Sequence, residues 1–345
     1  YHLQLLKDST DDLNSALSSP VAVEAAMRID HGHFAGSEEA FRHWDEDDPA
    51  VVPGRCSRCH TAEGLPLYLT EGVEITQMPS NGLLCSSCHF APEFGIPEVG
   101  AVEFPSGAAV DSGDNNTQLC INCHQGRASA DSVRAAVAGL GLDDVTEDLG
   151  FINVHYFPAG ATLFGTEVQG GFEYDGKEYV GRFAHVEAFD GCTECHSAHQ
   201  LTVKVEACAG CHGTEEVGAI RGSATPDYDG DGDVTEGVAG EIEGLRAALY
   251  DIIQGYADAN GFPIIYDSGA YPYFFADTNG NGESDPGEAI YPNRYASWTV
   301  NLLEAAYNYQ YATKDPGGFA HNGAYVAQLL YDSIEALGGP VSGLT

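Results

Sequence analysis

Five pentapeptides carry most of the reactive side chains of this sequence: CSRCH at 56–60, CSSCH at 85–89, CINCH at 120–124, CTECH at 192–196 and CAGCH at 208–212. Each places two thiols three positions apart and an imidazole directly after the second, and none of the ten cysteines is left over. Two thiols at that spacing can clasp a zinc ion or form a redox disulfide. Neither use explains a histidine after the second cysteine in all five units. Covalent attachment of a porphyrin does: the thiols add to two vinyl groups and the adjacent imidazole reaches the iron. The reading is five c-type haems, held by Cys56, Cys59 and His60; Cys85, Cys88 and His89; Cys120, Cys123 and His124; Cys192, Cys195 and His196; and Cys208, Cys211 and His212.

Five irons need five further axial ligands unless one position stays open for a substrate. Thirteen histidines minus five in the motifs leave eight: His2, His31, His33, His43, His155, His185, His199 and His321. Met27 and Met78 are the only thioethers, and two cannot serve five irons. Bis-histidine ligation is therefore expected, which favours low potentials relative to His/Met pairs. His199 lies three residues past a motif, too near to cross its own porphyrin, and suits a neighbouring iron. His185 in GRFAHVEAFDGC and His155 in FINVHYFPAGATLFG stand among apolar and aromatic residues suited to a haem face. His321 in DPGGFAHNGAYVAQLL opens a helical pattern with Asn322 as its cap. His33 and His43 follow in rank, and His31 and His2 come last.

These residues resemble a known group, the multihaem c-type cytochromes of periplasmic and extracellular electron transfer. CTECHSAH is similar to the group's Cys-x-x-Cys-His-x-x-His pattern, in which the last histidine ligates a nearby haem. FAHNGAY looks like its His-Asn-x-x-Tyr helix start, with Gly323 where many members have proline. The HGHFAG…AFRHW…CSRCH stretch is also similar to such proteins. The resemblance covers residues 30–213 and 315–337. Extracellular cytochrome filament subunits fit best, since they are secreted, bis-histidine throughout and poor in regular structure. Multihaem nitrite reductases fit less well, because their active haem uses a lysine where all five motifs here keep histidine.

The elements that must hold these groups are short. With 42 glycines in 345 residues and motif spacings of 29, 35, 72 and 16, the chain reads as loops wrapped around porphyrins. The expected fold class is a loop-rich multihaem cytochrome c with short α-helices and one β-hairpin. That hairpin is placed at GFEYDGKEYVGRF, around Asp175-Gly176. Short helices are expected at 20–29 and 129–139, and three longer ones at 241–257, 295–312 and 324–337 from their apolar periodicity. The expected partition is a pentahaem region, 1–213, and a C-terminal helical region, 214–345, packed back on it. With little conventional core in view, the haem-free chain is expected not to fold.

Fourteen basic against 52 acidic residues leave a net charge of −38. Such a balance excludes nucleic acid, whose phosphates need a basic surface, and favours cations. Two loops fit calcium. DTNGNGESDPGE sets Asp277, Asn279, Asn281, Glu283, Asp285 and Glu288 at positions 1, 3, 5, 7, 9 and 12 of an EF-hand-type loop, with Gly282 at the turn. DYDGDGDVTEG begins the same way with Asp227, Asp229, Asp231 and Asp233 but has Val238 at position 12.

No apolar run is long enough to span a membrane. The first residues, YHLQLLKDST, lack the basic-then-apolar pattern of an export signal, so the sequence is expected to begin at a processed end. Haem attachment places the chain outside the cytoplasm, extracellular or periplasmic. The expected function is electron conduction through five bis-histidine haems, as an extracellular filament subunit exchanging electrons with redox proteins or extracellular acceptors. The alternatives are a soluble periplasmic shuttle, and a reductase of a small nitrogen or sulfur oxyanion with one open iron.

Overall fold

Short helices at the haem motifs and three long ones near the C-terminus make up most of the regular structure. A computed structural model describes residues 2–18, 39–155, 157–186, 189–200 and 202–344. The helix expected at 20–29, together with His31 and His33, lies outside them. The described residues form two compact units, Tyr1–Glu98 with Ala198–Leu201, and Val99–Ser197 with Thr202–Thr345. The division therefore falls at residue 98, where the sequence placed it at 213. The reason is that the C-terminal helices share one core with the segments that follow the third motif, Leu149 and Phe151 among them.

The first unit holds α1 (His2–Ser15), α2 (Glu39–Arg42), α3 (Gly54–His60) and α4 (Gly64–Glu71). The first motif occupies α3, and α4 follows after a very tight turn. A Cβ on Gly64 would lie 1.9 Å from the Ser57 carbonyl oxygen, so only glycine permits that approach. Thr61 donates its hydroxyl to the Ser57 carbonyl at 2.8 Å, closing α3. Ser87, inside the second motif, donates to the Ala62 carbonyl at 2.6 Å. The two motifs are thereby fixed on one small frame.

In the second unit, β1 (Val102–Glu103) pairs antiparallel with β2 (Ala109–Val110). Then come α5 (Asn115–Ile121), α6 (Ala130–Val137), α7 (Ala159–Phe164), α8 (Cys192–Cys195), α9 (Val205–His212) and α10 (Val238–Ala259). A second antiparallel pair, β3 (Ile264–Tyr266) with β4 (Phe274–Ala276), precedes α11 (Val300–Lys314) and α12 (Gly318–Ala336). Asp114 caps α5, accepting the amides of Asn116 and Thr117. Asn322 is extended within α12 and accepts the Tyr325 amide at 3.2 Å, the capping role expected of it.

Ile242, Leu245, Leu249 and Ile253 form the buried stripe of α10. It meets Leu302, Leu303 and Ala306 of α11 and Val326, Leu330 and Ile334 of α12, with Phe274 and Trp298 filling the space between. This is a conventional helix-on-helix core, and it corrects the expectation that little apolar core exists apart from the porphyrins. The composition averages over loops and hides the concentration of apolar residues after position 238.

The hairpin expected at 171–183 is also corrected. A turn forms at Asp175-Gly176, but the flanking residues make no strands. Their backbone groups are taken by side chains of α11 and α12. The Gly171 amide donates to the Tyr325 hydroxyl, the Phe172 amide to Asn308 Oδ1 at 2.7 Å, and the Val180 amide to Gln328 Oε1 at 2.9 Å. Among the described residues the hairpins that do form are the two short pairs named above.

Candidate haem-binding sites

None of the ten motif cysteines is in a disulfide, and each is at least partly exposed. In the first unit, Ser57 of the first motif and Ser87 of the second tie their motifs to nearby residues as described above, and the imidazoles are oriented by other carbonyls. His60 Nδ1 meets the Ala40 carbonyl at 2.6 Å and His89 Nδ1 meets the Phe94 carbonyl at 3.0 Å. In the second unit, His124 Nδ1 meets the Phe157 carbonyl at 3.3 Å. Metal-bound histidines characteristically hand their second ring nitrogen to such a partner, which fixes the tautomer and aims Nε2 at the metal. His60, His89 and His124 therefore fit haem in orientation as well as in spacing.

Three of the expected distal histidines lie opposite motif histidines. The rings of His89 and His199 are nearly parallel, with centroids 6.1 Å apart. Those of His185 and His212 are 6.0 Å apart, and those of His196 and His321 are 6.3 Å apart. Two imidazoles sharing one metal through bonds of about 2.0–2.1 Å each, plus the reach from nitrogen to ring centre, put their centroids about 6 Å apart. All three pairs match this spacing. Parallel rings in direct contact would be closer, at about 3.5–4.0 Å between planes.

His155 sits in a segment that wraps the third motif. Arg127 donates its amide to the Val154 carbonyl at 2.9 Å, and Gly160 donates to the His124 carbonyl at 2.7 Å. Between these bonds His155 takes a left-handed backbone, φ 72°, uncommon for a residue with a Cβ and typical of ligand-holding positions. His43 is exposed; its ring meets the edge of Trp44, and Trp44 in turn meets His60. Met78 is 70% exposed at the surface.

The motifs of the second unit lie close together. Hydrogen bonding from the neighbouring Cys120 lowers the Cys192 thiol despite the opposing effect of burial. Burial pushes the Cys195 thiol up, and the neighbouring Cys208 adds to the shift. The fourth motif is thus flanked by the third through Cys192 and by the fifth through Cys195. The Cys192 amide also donates to Thr117 of α5 at 3.0 Å. The spacing of 16 residues between the fourth and fifth motifs accounts for the second adjacency but not the first.

His321 has a partner that spacing did not reveal. Its Nδ1 lies 2.9 Å from both carboxylate oxygens of Asp315, which is 3% exposed in the turn between α11 and α12. Gly317 makes room for this, since a Cβ there would lie 2.7 Å from His321 Cε1. Burial disfavours charge on both groups, yet their pairing raises the imidazole and lowers the carboxyl.

The acidic loops differ from each other. Oxygens of Asp227, Asp229 and Glu241 come within 4.8 Å of one another, as do those of Asp229, Asp231 and Glu236. Burial first, then the crowding of like charges, raises Asp229 and Glu236. Asp233 turns away to Thr235. Glu241 was missed by the sequence reading because it projects from α10, beyond the twelve-residue loop; it also pairs with Arg221. In the second loop, Asp277 accepts the amides of Asn279, Gly280 and Gly282, and Glu288 binds Thr278 and the Asp285 amide. Asp285 Oδ2 accepts from the side-chain amides of Asn279 and Asn281, both at 2.8 Å. Asn281 Oδ1 accepts the Glu283 amide.

The chain is similar to C-type polyheme cytochromes of Geobacter sulfurreducens. It is 28% identical to OmcC over 384 residues, covering 92% of this chain and 47% of that protein. It is 29% identical to OmcB over 394 residues, covering 93% of this chain and 48% of the relative. The chain thus spans about half the length of the curated relatives it matches. No protein-family model and no solved structure matches it.

Proposed function

We infer that this multihaem c-type cytochrome conducts electrons through five haems, each ligated by two histidines. The observation that carries the reading is the set of three histidine pairs with centroids 6.0 to 6.3 Å apart, each joining a motif residue to one outside it. On this reading His199 completes the haem of the second motif, His321 that of the fourth and His185 that of the fifth. His155 serves the third, beside the segment that wraps His124. His33 or His43 serves the first.

The bound haem supplies a one-electron iron centre. The protein's own residues fix its position through two thiols, orient both imidazoles through their second nitrogens, and set how far charge on the iron is stabilised. With two imidazoles on each iron, no position is left for a small oxyanion, so the chain acts as a conductor and not as a reductase. Carbon monoxide separates the two: the reduced protein is expected not to bind it, and binding at even one haem would favour the reductase.

The finer reading is an extracellular filament subunit in which the haem chain continues from copy to copy. The absence, among the described residues, of any helix long and apolar enough to cross a membrane accords with a secreted chain. Negative-stain microscopy separates this from a periplasmic shuttle, with filaments expected and single particles contrary. Calcium is assigned to the Asp227–Asp231 loop, where Glu236 and Glu241 add carboxylates, and to the Asp277–Glu288 loop by its pattern. Bound cations there offset part of the −38 charge.

A further inference from the structure

The second unit contains a device that bears on electron flow, and it rests on the axial pairing of His196 with His321 proposed above. His60, His89 and His124 hand Nδ1 to backbone carbonyls. At His321 the corresponding partner is a carboxylate, 2.9 Å away through both oxygens and buried. We propose that Asp315 is a potential-setting residue, holding the haem of the fourth motif below the potential it would have with a neutral partner.

The physical reason is direct. A carboxylate that accepts the Nδ1 proton gives the ring imidazolate character and makes Nε2 a stronger donor. A stronger donor, and a negative charge close by, favour the ferric over the ferrous iron, so the potential falls. A backbone carbonyl polarises the ring far less, because hydrogen bonds to ionised acceptors are roughly twice as strong. The surroundings hold the carboxylate in place: the Gly317 amide donates to Asp315 Oδ1 at 3.3 Å.

Its position gives the device a consequence. The fourth motif adjoins α5 of the third, through the Cys192 amide on Thr117 at 3.0 Å, and the segment leading into the fifth, through the Lys204 amide on the Cys195 carbonyl at 2.8 Å. A single electron arrives from one neighbour and leaves to the other, so no further reductant is needed. Lowering the potential of the fourth haem makes electron entry there less favourable than it would be with a neutral partner.

The test is spectropotentiometry of the haem-loaded full chain carrying Asp315→Asn. One haem should become easier to reduce by about tenfold in its equilibrium constant, equal to about 59 mV for one electron, with the others unmoved. Unchanged potentials, or an equal shift of all haems, would overturn the proposal. Asp315→Glu gives a second arm: a retained carboxylate should leave that potential closer to the wild type than Asp315→Asn does, and a shift equal to that of Asp315→Asn counts against the assignment. His321→Ala separates failure of the underlying ligation. If His321 is the axial ligand, that variant gains one high-spin haem; if its spectrum stays low-spin, the pairing itself is wrong.

Discussion

The imidazoles of His89 and His199 lie nearly parallel, 10° between planes, with centroids 6.1 Å apart. They come from positions 110 residues apart in sequence, yet both belong to the first unit. His199 follows His196 of the fourth motif by three residues. On the proposed reading, a distal ligand reaches one motif from the segment directly after another. That arrangement makes the histidines structural as well as electronic.

It follows that His199→Ala should leave the iron of the second motif with one axial ligand. The oxidised protein should gain a high-spin signal worth one haem, and added imidazole should remove it. His185→Ala should do the same at the fifth motif. A spectrum indistinguishable from the wild type in either variant would break the corresponding pair.

Much of this was legible in the sequence, because covalent haem attachment demands a fixed local pattern. The five motifs and the ranking of His155, His185, His199 and His321 needed no fold. Which histidine faces which was not legible, since His199 meets a residue 110 positions away. Asp315 gave no signal either; an acid before a Pro-Gly-Gly turn reads as a loop until His321 folds back onto it. The expected hairpin failed for a related reason. Alternation of apolar residues sets a preference for extended chain, but its backbone partners were side chains more than 130 residues away. Local pattern reports which groups want burial, and not what will satisfy them.

Glu304 tests the core of the second unit. It is 7% exposed on α11, and burial first, then Asp175, pushes its carboxyl up to about 7. A raised folded value means that the folded state holds the proton more tightly than the unfolded chain. That contribution is complete below the unfolded value near 4.5 and is lost as pH rises to about 7. Glu304→Gln should therefore stabilise the protein at pH 7 by about 1–3 kcal/mol and flatten the dependence between these limits. Chemical denaturation at pH 5 and pH 7 checks it; an equal effect at both would refute the assignment.

The α10–α12 core predicts behaviour that the composition alone did not. Its apolar contacts involve no haem motif, so the haem-free chain should keep a cooperative far-UV transition from these helices. The first unit, whose buried apolar residues are few, should lose its order without haem. Haem-free protein with no helical transition at all would show that even this core depends on the porphyrins.

Calcium removal should be felt where carboxylates crowd. A chelator is expected to lower the melting temperature by more than a few degrees, and Asp229→Asn should reduce that sensitivity by relieving the repulsion among Asp227, Asp231 and Glu241. Equal melting with and without chelator would remove calcium from the account.

The most direct test of the central claim is a spin count on the oxidised protein by electron paramagnetic resonance, set against haem content from the pyridine haemochrome. Five haems per chain, all low-spin, are the predicted result. Fewer than five, or a high-spin signal amounting to one haem or more in the unaltered protein, would contradict a conductor built wholly of bis-histidine haems.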